Sequence, residues 1–340
     1  MYLKVLLNNM KQRNLKYIIK IGLVLLRIYC WFRQKKNKER LLAAFLLTPA
    51  LFMLIPSYTF GLTLLQSFLF QAMLVYGLLS VIWIIKHHYR LAGINFIIYF
   101  LLLVKISGPI NKTYRIDQGE ETLKVLQFNV LSVNDKYTET IDRVIELAPD
   151  FVSFQEVSHQ WAEVLVTGLA QDYPYYKVVE HEDQGQGIAV FSKYPLQDVE
   201  EIHVTATANI TGKILVGDEA INFLALHTKS PTTKLKWHNR NNHLKWAEDY
   251  VKEQPGEFLV LGDFNTVPWD NRMLSFQSST ELTDSRKKLT PTYPTWNPFV
   301  AQIPIDYILH SKGIGCDSLD AVRITSDHKA IMGSYHISRL

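Results

Sequence analysis

The stretch FLVLGDFNTVPWD, residues 258–270, is an apolar run that ends abruptly in polar residues. The run FLVL predicts a buried strand, and Gly262, Asp263 and Asn265 follow directly at its end. Pro268 then predicts a turn. Glycine, aspartate and asparagine are ordinary turn formers, so a simple turn after the strand is one interpretation. The other is a strand that carries polar groups to the edge of a sheet.

The same kind of apolar run recurs along the last 220 or so residues of the chain. Runs of strand length are LKVLQFNV, FVSFQEV, GIAVFSK, INFLALHT, FLVLGDF, IDYIL and AIMGSYHI. Two stretches between them predict amphipathic helices, TETIDRVIELAP with Ile141, Val144, Ile145 and Ala148 on one face, and HQWAEVLVTGLAQD. Strands that are apolar at nearly every position are usually covered on both faces, which predicts a layered α/β domain.

Polar residues stand at the ends of six or seven of these runs. They are Asn129, Gln155, Glu156, His227, Asp263, Asn265, Asp306, Asp327 and His328. Each has a structural interpretation when taken alone, such as a helix cap, a turn or a hydrogen-bonded core histidine. Polar groups at the buried edge of a sheet are costly unless they are paired or bind something charged. The repetition over separate strands therefore favours one shared site.

Carboxylate and carboxamide oxygens without cysteine are ligands that suit hard cations. The set predicts Mg²⁺ or Mn²⁺, which retain water and bind few carboxylates together with phosphate oxygens of a substrate. Histidines add a group that can activate water or stabilise charge on phosphorus. These residue types together indicate hydrolysis of a phosphate ester.

With these motifs in order, the chain resembles the endonuclease/exonuclease/phosphatase superfamily, over roughly residues 122–338. The motifs are QFNV, FQEV, GIAVFSKYPL, LALHTKSP, LGDFNTVP, TPTYPTW, IDYIL and SDHKAI. Each is weak alone, and the ordered series is specific. The resemblance implies a four-layer α/β sandwich of the DNase I-like type, with two central sheets and the site at one end of them.

The resemblance also implies roles for the residues that match the motifs. Glu156 would be the principal metal ligand, with Asn129 beside it and Asp327 as a further metal contact. His328 would activate water or hold the phosphate, oriented by Asp306. Asp263 and Asn265 would position water and phosphate, and His227 would contact the phosphate. Whether Asp263 or His328 is the general base stays open. Arg240 falls where members often carry a basic residue.

The N-terminal third of the chain has a different composition. Residues 41–85 contain no Asp, Glu, Lys, Arg or His, which predicts two transmembrane helices with a turn near residues 56–61. A third apolar segment, residues 91–106, is of marginal length. The predicted organisation is a basic segment at 1–40 that favours an interfacial helix over a span, a membrane anchor of about three helices at 41–106, a linker at 107–121 and a catalytic domain at 122–340.

Charge predicts the orientation of this anchor. Residues 1–106 hold 14 of the 36 basic residues and one of the 32 acidic residues, a net charge of +13, and the remainder carries −9. Basic residues flank the first span and separate the second from the third, so both flanks are predicted to be cytoplasmic. An odd number of spans then places the catalytic domain outside the cytoplasmic membrane. Cys30 and Cys316 are predicted to be unpaired.

The sequence thus predicts a membrane-anchored, divalent-metal-dependent hydrolase of phosphate esters, with a phosphodiester favoured. A lipid headgroup, a nucleic acid and a small molecule are the competing substrates. A domain of net charge −9 lacks the basic surface of a general DNA-binding protein, although Lys229, Lys234, Lys236, Arg240 and Lys245 cluster beside His227. The alternatives are a nuclease, or a catalytically inactive domain of the superfamily that serves as a binding module.

Overall fold

A computed structural model describes residues 20–31, 33–110, 121–181 and 186–337. Residues 1–19 of the predicted basic segment and residues 111–120 of the predicted linker lie outside this range. The helices of the N-terminal part are α1 (residues 20–31), α2 (Lys35–Leu54), α3 (Phe60–Ser67), α4 (Leu69–Ile85) and α5 (Tyr89–Ser107). The apolar side chains of α1 are exposed, from Ile21 to Trp31, as expected of a helix that needs an apolar environment.

The described chain divides into two units by its internal contacts. One comprises the residues up to Ile55 together with Leu74–Phe100, and the other comprises Pro56–Met73 together with the residues from Leu101 onward. In the first unit, the hydroxyl of Tyr76 on α4 donates to the carbonyl oxygen of Leu46 on α2 at 2.7 Å. Ser80 on α4 donates to the carbonyl oxygen of Ala92 on α5 at 3.0 Å. Helix α4 thus packs against both α2 and α5.

The helices support fewer membrane spans than the three predicted. In the described residues, α5 alone is long and apolar enough to cross a bilayer, and α3 with α4 passes the same test only as one element bent by 60°. The first predicted span falls short because the apolar part of α2, residues 41–54, covers only about 21 Å of a hydrocarbon core of about 30 Å. A buried helix of a soluble protein can pass the same test, so the membrane anchor stays a prediction.

Two six-stranded sheets form the centre of the second unit. The first has the strand order β11-β12-β1-β2-β4-β3, and the second has the order β5-β6-β7-β8-β10-β9. The strands are β1 (Glu121–Asn129), β2 (Phe151–Gln155), β3 (Tyr175–Val179), β4 (Ile188–Ser192), β5 (Leu196–Val204), β6 (Thr207–Val216), β7 (Glu219–His227), β8 (Phe258–Asp263), β9 (Thr283–Asp284), β10 (Asp306–His310), β11 (Ile314–Val322) and β12 (Ala330–Ile337). In each sheet one pair is parallel, β1 with β2 and β7 with β8.

Helices cover the outer faces of both sheets. They are α6 (Tyr137–Leu147) and α7 (His159–Leu169) on the first sheet, and α8 (Lys234–Glu253) and α9 (Asn271–Thr280) on the second, and a short 3₁₀ turn spans Phe299–Ala301. On α6 the predicted face is only half right: Ile141 and Val144 are buried, whereas Ile145 and Ala148 are exposed. Ala148 lies beyond the end of the helix at Leu147, and Ile145 lies on its exposed side.

Alternate residues of each central strand face different layers, which explains the continuous apolar runs. On β1, Leu123 and Val125 pack between the two sheets with Ile308 of β10, whereas Leu126 and Phe128 pack under α6 and α7. A strand buried on both faces has no polar side to show in its sequence. The predicted four-layer α/β sandwich is confirmed.

Gly262 is required by the close approach of β7 and β8. Its φ angle is +148°, and a Cβ atom there would lie 1.8 Å from the carbonyl oxygen of Leu226, its neighbour on β7. We expect Gly262→Ala to lower the free energy of unfolding by about 3 kcal/mol, because the strand pair must move apart at a strained backbone position. Thermal unfolding monitored by tryptophan fluorescence measures this.

Gly61→Ala in α3 is the matched control, because no atom lies within 4 Å of the added Cβ. This variant should unfold at the temperature of the wild type or slightly above. A Gly262→Ala protein as stable as Gly61→Ala would contradict the structure of the β7–β8 pair.

Candidate active site at the joined edges of the two sheets

The polar strand ends of the two sheets meet at one edge of the sandwich. In the first sheet, Asn129 at the end of β1 is the register partner of Gln155 at the end of β2. In the second sheet, Asp263 at the end of β8 is the partner of both His227 on β7 and Asp306 on β10. The carboxyl ends of parallel strands lie at the same edge of a sheet, and the antiparallel strand β10 begins there. All nine polar residues singled out in the sequence lie at or beside this edge.

Asn129 joins the two sheets at the site. Its amide nitrogen donates to Oε1 of Glu156 at 3.0 Å and to Oδ2 of Asp263 at 3.2 Å. Its Oδ1 accepts from the backbone N–H of Leu131, and Oε2 of Glu156 accepts from the N–H of Ser132. One carboxamide thus holds two carboxylates from different sheets within reach of each other.

Two site residues adopt left-handed backbone conformations that non-glycine residues rarely take. Glu156 has a φ angle of +62° and Asn265 one of +47°. Each such residue costs on the order of 1–3 kcal/mol and persists only where its surroundings enforce it. Here the Asn265 amide nitrogen donates to the carbonyl oxygen of Thr228, and its backbone N–H donates to Oδ1 of Asp263. The strained backbone therefore directs the side chains of Glu156 and Asn265 into the cleft.

His328 is held by Asp306 through the buried side of its ring. Nδ1 of His328 lies 2.9 Å from Oδ2 of Asp306, and both residues are buried. The amide nitrogen of Gln127 donates to the other oxygen of Asp306 at 3.0 Å, and also to Oε1 of Gln155 at 2.7 Å. A carboxylate that accepts from Nδ1–H fixes the tautomer of the imidazole and leaves Nε2 to face the site.

Asp263 lies between the two histidines. Its Oδ2 is 3.7 Å from Nε2 of His328 and 3.6 Å from Nε2 of His227. Nδ1 of His227 is buried and has no hydrogen-bond partner in the described structure. The interpretation of His227 as a fully hydrogen-bonded core histidine is therefore not supported, because Nδ1 has no partner in the described structure and Nε2 faces the site.

An open cleft of about 640 Å³ lies over these groups. Its lining includes Glu156, His227, Asp263, Asn265, Asp327 and His328, together with Lys229, Lys236, Asn239 and Tyr293. The ring of Tyr293 lies 4.7 Å from the ring of His328. Sequence reasoning did not assign Gln127 or Tyr293 to the site. Gln127 could have been found as a polar residue inside the apolar run LKVLQFN, whereas Tyr293 reaches His328 only through the path of its loop.

Arg240 lies outside the cleft, although the sequence placed it among candidate basic residues. It is 1% exposed, and its guanidinium donates to the backbone oxygen of Asn265 and to Asp270 at 3.1 and 3.4 Å. It thus fixes the loop that carries Asn265. Lys245 of the same predicted cluster pairs with Glu248 and Asp249 on α8.

The buried charges change the acidities of these groups. Burial raises the pKa of Asp263 to about 8, and burial also raises the pKa of Asp327. Burial opposes the charged form of His328, but the carboxylates of Asp306 and Asp263 outweigh it and raise its pKa to about 10. Burial lowers the pKa of His227.

The surplus of negative charge at this edge fits a divalent cation. Four carboxylates, those of Glu156, Asp263, Asp306 and Asp327, face two imidazoles. Burial opposes protonation of His227, and the raised pKa values of Asp263 and Asp327 show that anionic groups are costly here. Carboxylate and carboxamide oxygens are the donors that Mg²⁺ and Mn²⁺ prefer. A cation of charge +2 would offset the surplus.

Such a cation could be held either by Asp263, Asp306 and His328 together or by Glu156. Ligand atoms of Asp263, Asp306 and His328 lie within 4.8 Å of one another. Asp306 and His328 already satisfy each other through their hydrogen bond. Glu156 is more open to a cation, because its two oxygens receive one hydrogen bond each in the described structure. The role of principal ligand, which the family resemblance implies for Glu156, therefore stays a prediction.

A site of this composition, at the joined edges of an α/β sandwich, defines a metal-dependent hydrolase of phosphoric esters. The sequence profile named "Endonuclease/Exonuclease/phosphatase family" matches residues 126–328, more than half of the chain. The chain belongs to this family. A search of curated proteins finds no match.

Solved structures show the same fold. A protein of this family from Bacteroides thetaiotaomicron has a TM-score of 0.54 and 16% identity, covering 66% of this chain and 98% of its own. A protein of the family from Beutenbergia cavernae DSM 12333 has a TM-score of 0.53 and 17% identity, covering 64% and 72%. The TDP2 protein of D. rerio, solved with a single-strand DNA product, has a TM-score of 0.52 and 15% identity, covering 64% and 100%. At these identities the similarity establishes the fold alone.

The pH dependence of the reaction should identify the general base. If Asp263 takes the proton from water and His328 donates to the phosphate, activity should rise with pH through about 8, where Asp263 loses its proton, and fall above about 10, where His328 loses its own. A bound cation shifts the first value downward. The measurement is kcat/KM across this range.

The opposite assignment gives a different profile. A His328 base would be active only when deprotonated, so activity would still be rising near pH 10. A profile of that shape would overturn the assignment of Asp263 as the base. His328→Gln should lack the falling limb, because it removes the group that titrates there.

Proposed function

We propose that this protein is a membrane-anchored, Mg²⁺- or Mn²⁺-dependent phosphodiesterase whose catalytic domain lies on the outer side of the cytoplasmic membrane. The observation that carries the proposal is the hydrogen-bonded pair of His328 and Asp306 beside the carboxylates of Glu156 and Asp263. These groups come from both sheets and meet over one cleft. Such a site supports hydrolysis of a phosphate ester more directly than a binding role.

Glu156, Asn129 and Asp327 would hold the cation at one side of the cleft. When bound, it would supply positive charge to the oxygens of the phosphate. The contact between Asn129 and Asp263 would place the cation close to the water-positioning group. Asp327 supports this set because it lines the same cleft and interacts electrostatically with Glu156.

The remaining residues would move the proton and stabilise charge on phosphorus. His328, protonated at neutral pH and fixed by Asp306, would donate from Nε2 to a phosphate oxygen. Asp263 would accept the proton of the attacking water, and the Asn265 side chain would orient the phosphate. His227, 3.6 Å from Asp263, would contact a phosphate oxygen through the same nitrogen. Groups placed in this way in advance stabilise the transition state with little reorganisation.

Three observations bear on the substrate class. Lys229 and Lys236 line the cleft and would attract a phosphate anion. Burial and pairing remove Arg240 and Lys245 from the predicted basic cluster, and residues from 107 onward carry a net charge of −9. A nuclease is therefore less favoured than a phosphodiesterase, although the structurally similar TDP2 was solved with a DNA product. An inactive binding module is disfavoured, because it would not need a strained Glu156.

The outer placement of the catalytic domain requires that α5 cross the membrane and that α4 cross it in the opposite direction. Gln66, which precedes α4, contacts Trp269 of the catalytic domain and must lie on the same side. Lys86 and Arg90 stand at the N-terminal end of α5, whereas Lys105 alone stands at its C-terminal end. The positive-inside rule then places residues 86–90 in the cytoplasm and the residues after 107 outside.

Glu156→Gln tests the proposed hydrolase. In the purified full chain, we expect Mg²⁺- or Mn²⁺-dependent turnover of bis(p-nitrophenyl) phosphate to fall by at least about a hundredfold, because the neutral amide is a poor ligand for a hard cation. Glu163→Gln on α7 is the matched control, since Glu163 is exposed, and it should keep wild-type activity. p-Nitrophenyl phosphate, sphingomyelin and plasmid DNA, tested in parallel, would identify the bond class.

Two results would refute the hydrolase. Turnover that survives in Glu156→Gln at the wild-type level would exclude this residue as the ligand. A folded chain that binds neither Mg²⁺ nor Mn²⁺ in calorimetry would favour the binding module.

A reporter fused after residue 110 tests the placement of the catalytic domain. We expect alkaline phosphatase fused there to be active and green fluorescent protein to be dark, because the first is active only when exported. The opposite pattern would show that α5 does not cross the membrane. The same two reporters fused after residue 88 should give the cytoplasmic pattern.

A further inference from the structure

A short N-terminal segment of the second unit contacts the loops that carry the site. This segment, residues 56–73, comprises α3 and the first turn of α4, and we call it the elbow. The indole N–H of Trp269 donates to the carbonyl oxygen of Gln66 at 2.7 Å, and the side-chain amide of Asn271 donates to the backbone carbonyl oxygen of Ser57 at 2.9 Å. Trp269 lies in the loop that follows Asp263 and Asn265, and Asn271 begins α9 directly after this loop. The elbow is thus hydrogen-bonded to residues that follow the loop of Asp263 and Asn265.

A second loop, which lies beside the site, contacts the elbow where α4 begins. This loop, residues 293–302, is called the Trp296 loop. The rings of Phe299 and Phe70 meet edge to face at 6.2 Å, and the side chain of Gln71 donates to the carbonyl oxygen of Gln302 at 3.0 Å. At its other end the loop places Tyr293 against His328. One loop therefore connects the catalytic histidine to the start of an apolar helix.

The Trp296 loop exposes large apolar side chains that the catalytic unit leaves uncovered. Trp296 is 66% exposed, and Phe299 and Val300 are each 50% exposed. Within about ten residues this is a concentrated apolar surface, of the kind that marks an interaction site rather than scattered surface residues.

Basic residues accompany this apolar surface. The ammonium group of Lys329 lies 5.8 Å above the ring of Phe299 and donates to Oε1 of Gln302. Arg323, which is exposed, lines a groove together with Trp296. Aromatic side chains beside lysine and arginine are the combination found at the interface of an anionic bilayer, where rings occupy the headgroup region and cations meet lipid phosphates.

We propose that the Trp296 loop docks the catalytic unit on the outer leaflet of the membrane, with anionic lipid headgroups as its occupant. The cleft then acts on phosphate esters held in the bilayer. This inference rests on the proposed function and narrows its substrate class. The bilayer is the favoured occupant because α4 continues from Phe70 and Gln71 as an apolar helix, and because Lys105 near the end of α5 interacts electrostatically with Asp270 beside the same loops.

Fluorescence quenching in vesicles tests the docking without any need for activity. Val300→Cys in a Cys30→Ser background carries an NBD label, since Cys316 is buried. The full chain is reconstituted in vesicles of phosphatidylglycerol and phosphatidylethanolamine that contain a 5-doxyl lipid. Ile145→Cys, exposed on α6, is the matched control. We expect the label at position 300 to be quenched clearly more strongly than the label at 145, and equal quenching would overturn the inference.

Activity on two forms of substrate tests the consequence for catalysis. Val300→Glu places a charge in the docking surface, and Ile145→Glu places the same charge on α6. Turnover of a phospholipid in the vesicles should fall by about tenfold in Val300→Glu, equivalent to about 1.4 kcal/mol. Turnover of soluble bis(p-nitrophenyl) phosphate should stay within about twofold of wild type. Ile145→Glu should change neither rate.

The outcomes separate the inference from the proposed function. Equal losses on both substrates, or no loss on the lipid, would overturn the docking while the hydrolase stands. Wild-type protein that hydrolyses neither substrate would overturn the hydrolase, and the quenching measurement would still decide whether the loop meets the bilayer.

Discussion

The hydrogen bond between Nδ1 of His328 and Oδ2 of Asp306, at 2.9 Å, joins the two sheets of the sandwich at the catalytic edge. His328 precedes β12 of the first sheet, and Asp306 begins β10 of the second. Gln127 on β1 adds a second link to the same carboxylate. A buried carboxylate is tolerated only when its oxygens are satisfied. Packing of the sheets and orientation of the imidazole therefore depend on each other, and the site is a property of the assembled sandwich.

The second constraint is the surplus of buried negative charge. Asn129 holds Glu156 and Asp263 near each other with a single amide group, and burial raises the pKa of Asp263 to about 8. The backbone of Glu156 is strained at the same point. A sequence selected for stability alone would avoid both the buried carboxylate and the strained backbone. Both features fit a site that binds a divalent cation and a phosphate, because these two ligands carry opposite charges.

The elbow connects two loops of the site to α3 and the start of α4. Its contacts with Trp269 and Asn271 and with the Trp296 loop involve the loops that follow Asp263 and precede Asp306. An anchor attached only by the chain would raise the local concentration of substrate at the membrane. Under the proposed membrane anchoring, the contacts of the elbow with these loops would also set the orientation of the cleft. A fixed orientation of the cleft distinguishes an enzyme that acts at a membrane surface from one that is only tethered to it.

The sequence by itself determined most of the central strands, their polar ends and the chemistry of those ends, because continuous apolar runs and their termini are local patterns. Strands β3, β5, β6, β9 and β11 escaped prediction. Four of them lie at sheet edges, where strands carry polar residues and show no such run. Strand β6 is interior, and its buried Thr207, Asn209 and Thr211 interrupt the apolar pattern. More spans were predicted than the helices support. Apolar composition does not show where a helix breaks or how long each unbroken apolar helix is. Only the tertiary structure showed that Gln127 and Tyr293 contact residues of the site, that Arg240 lies outside the cleft, and that the elbow contacts the loops of the site. Each of these depends on contacts between residues far apart in the chain, which no local pattern records.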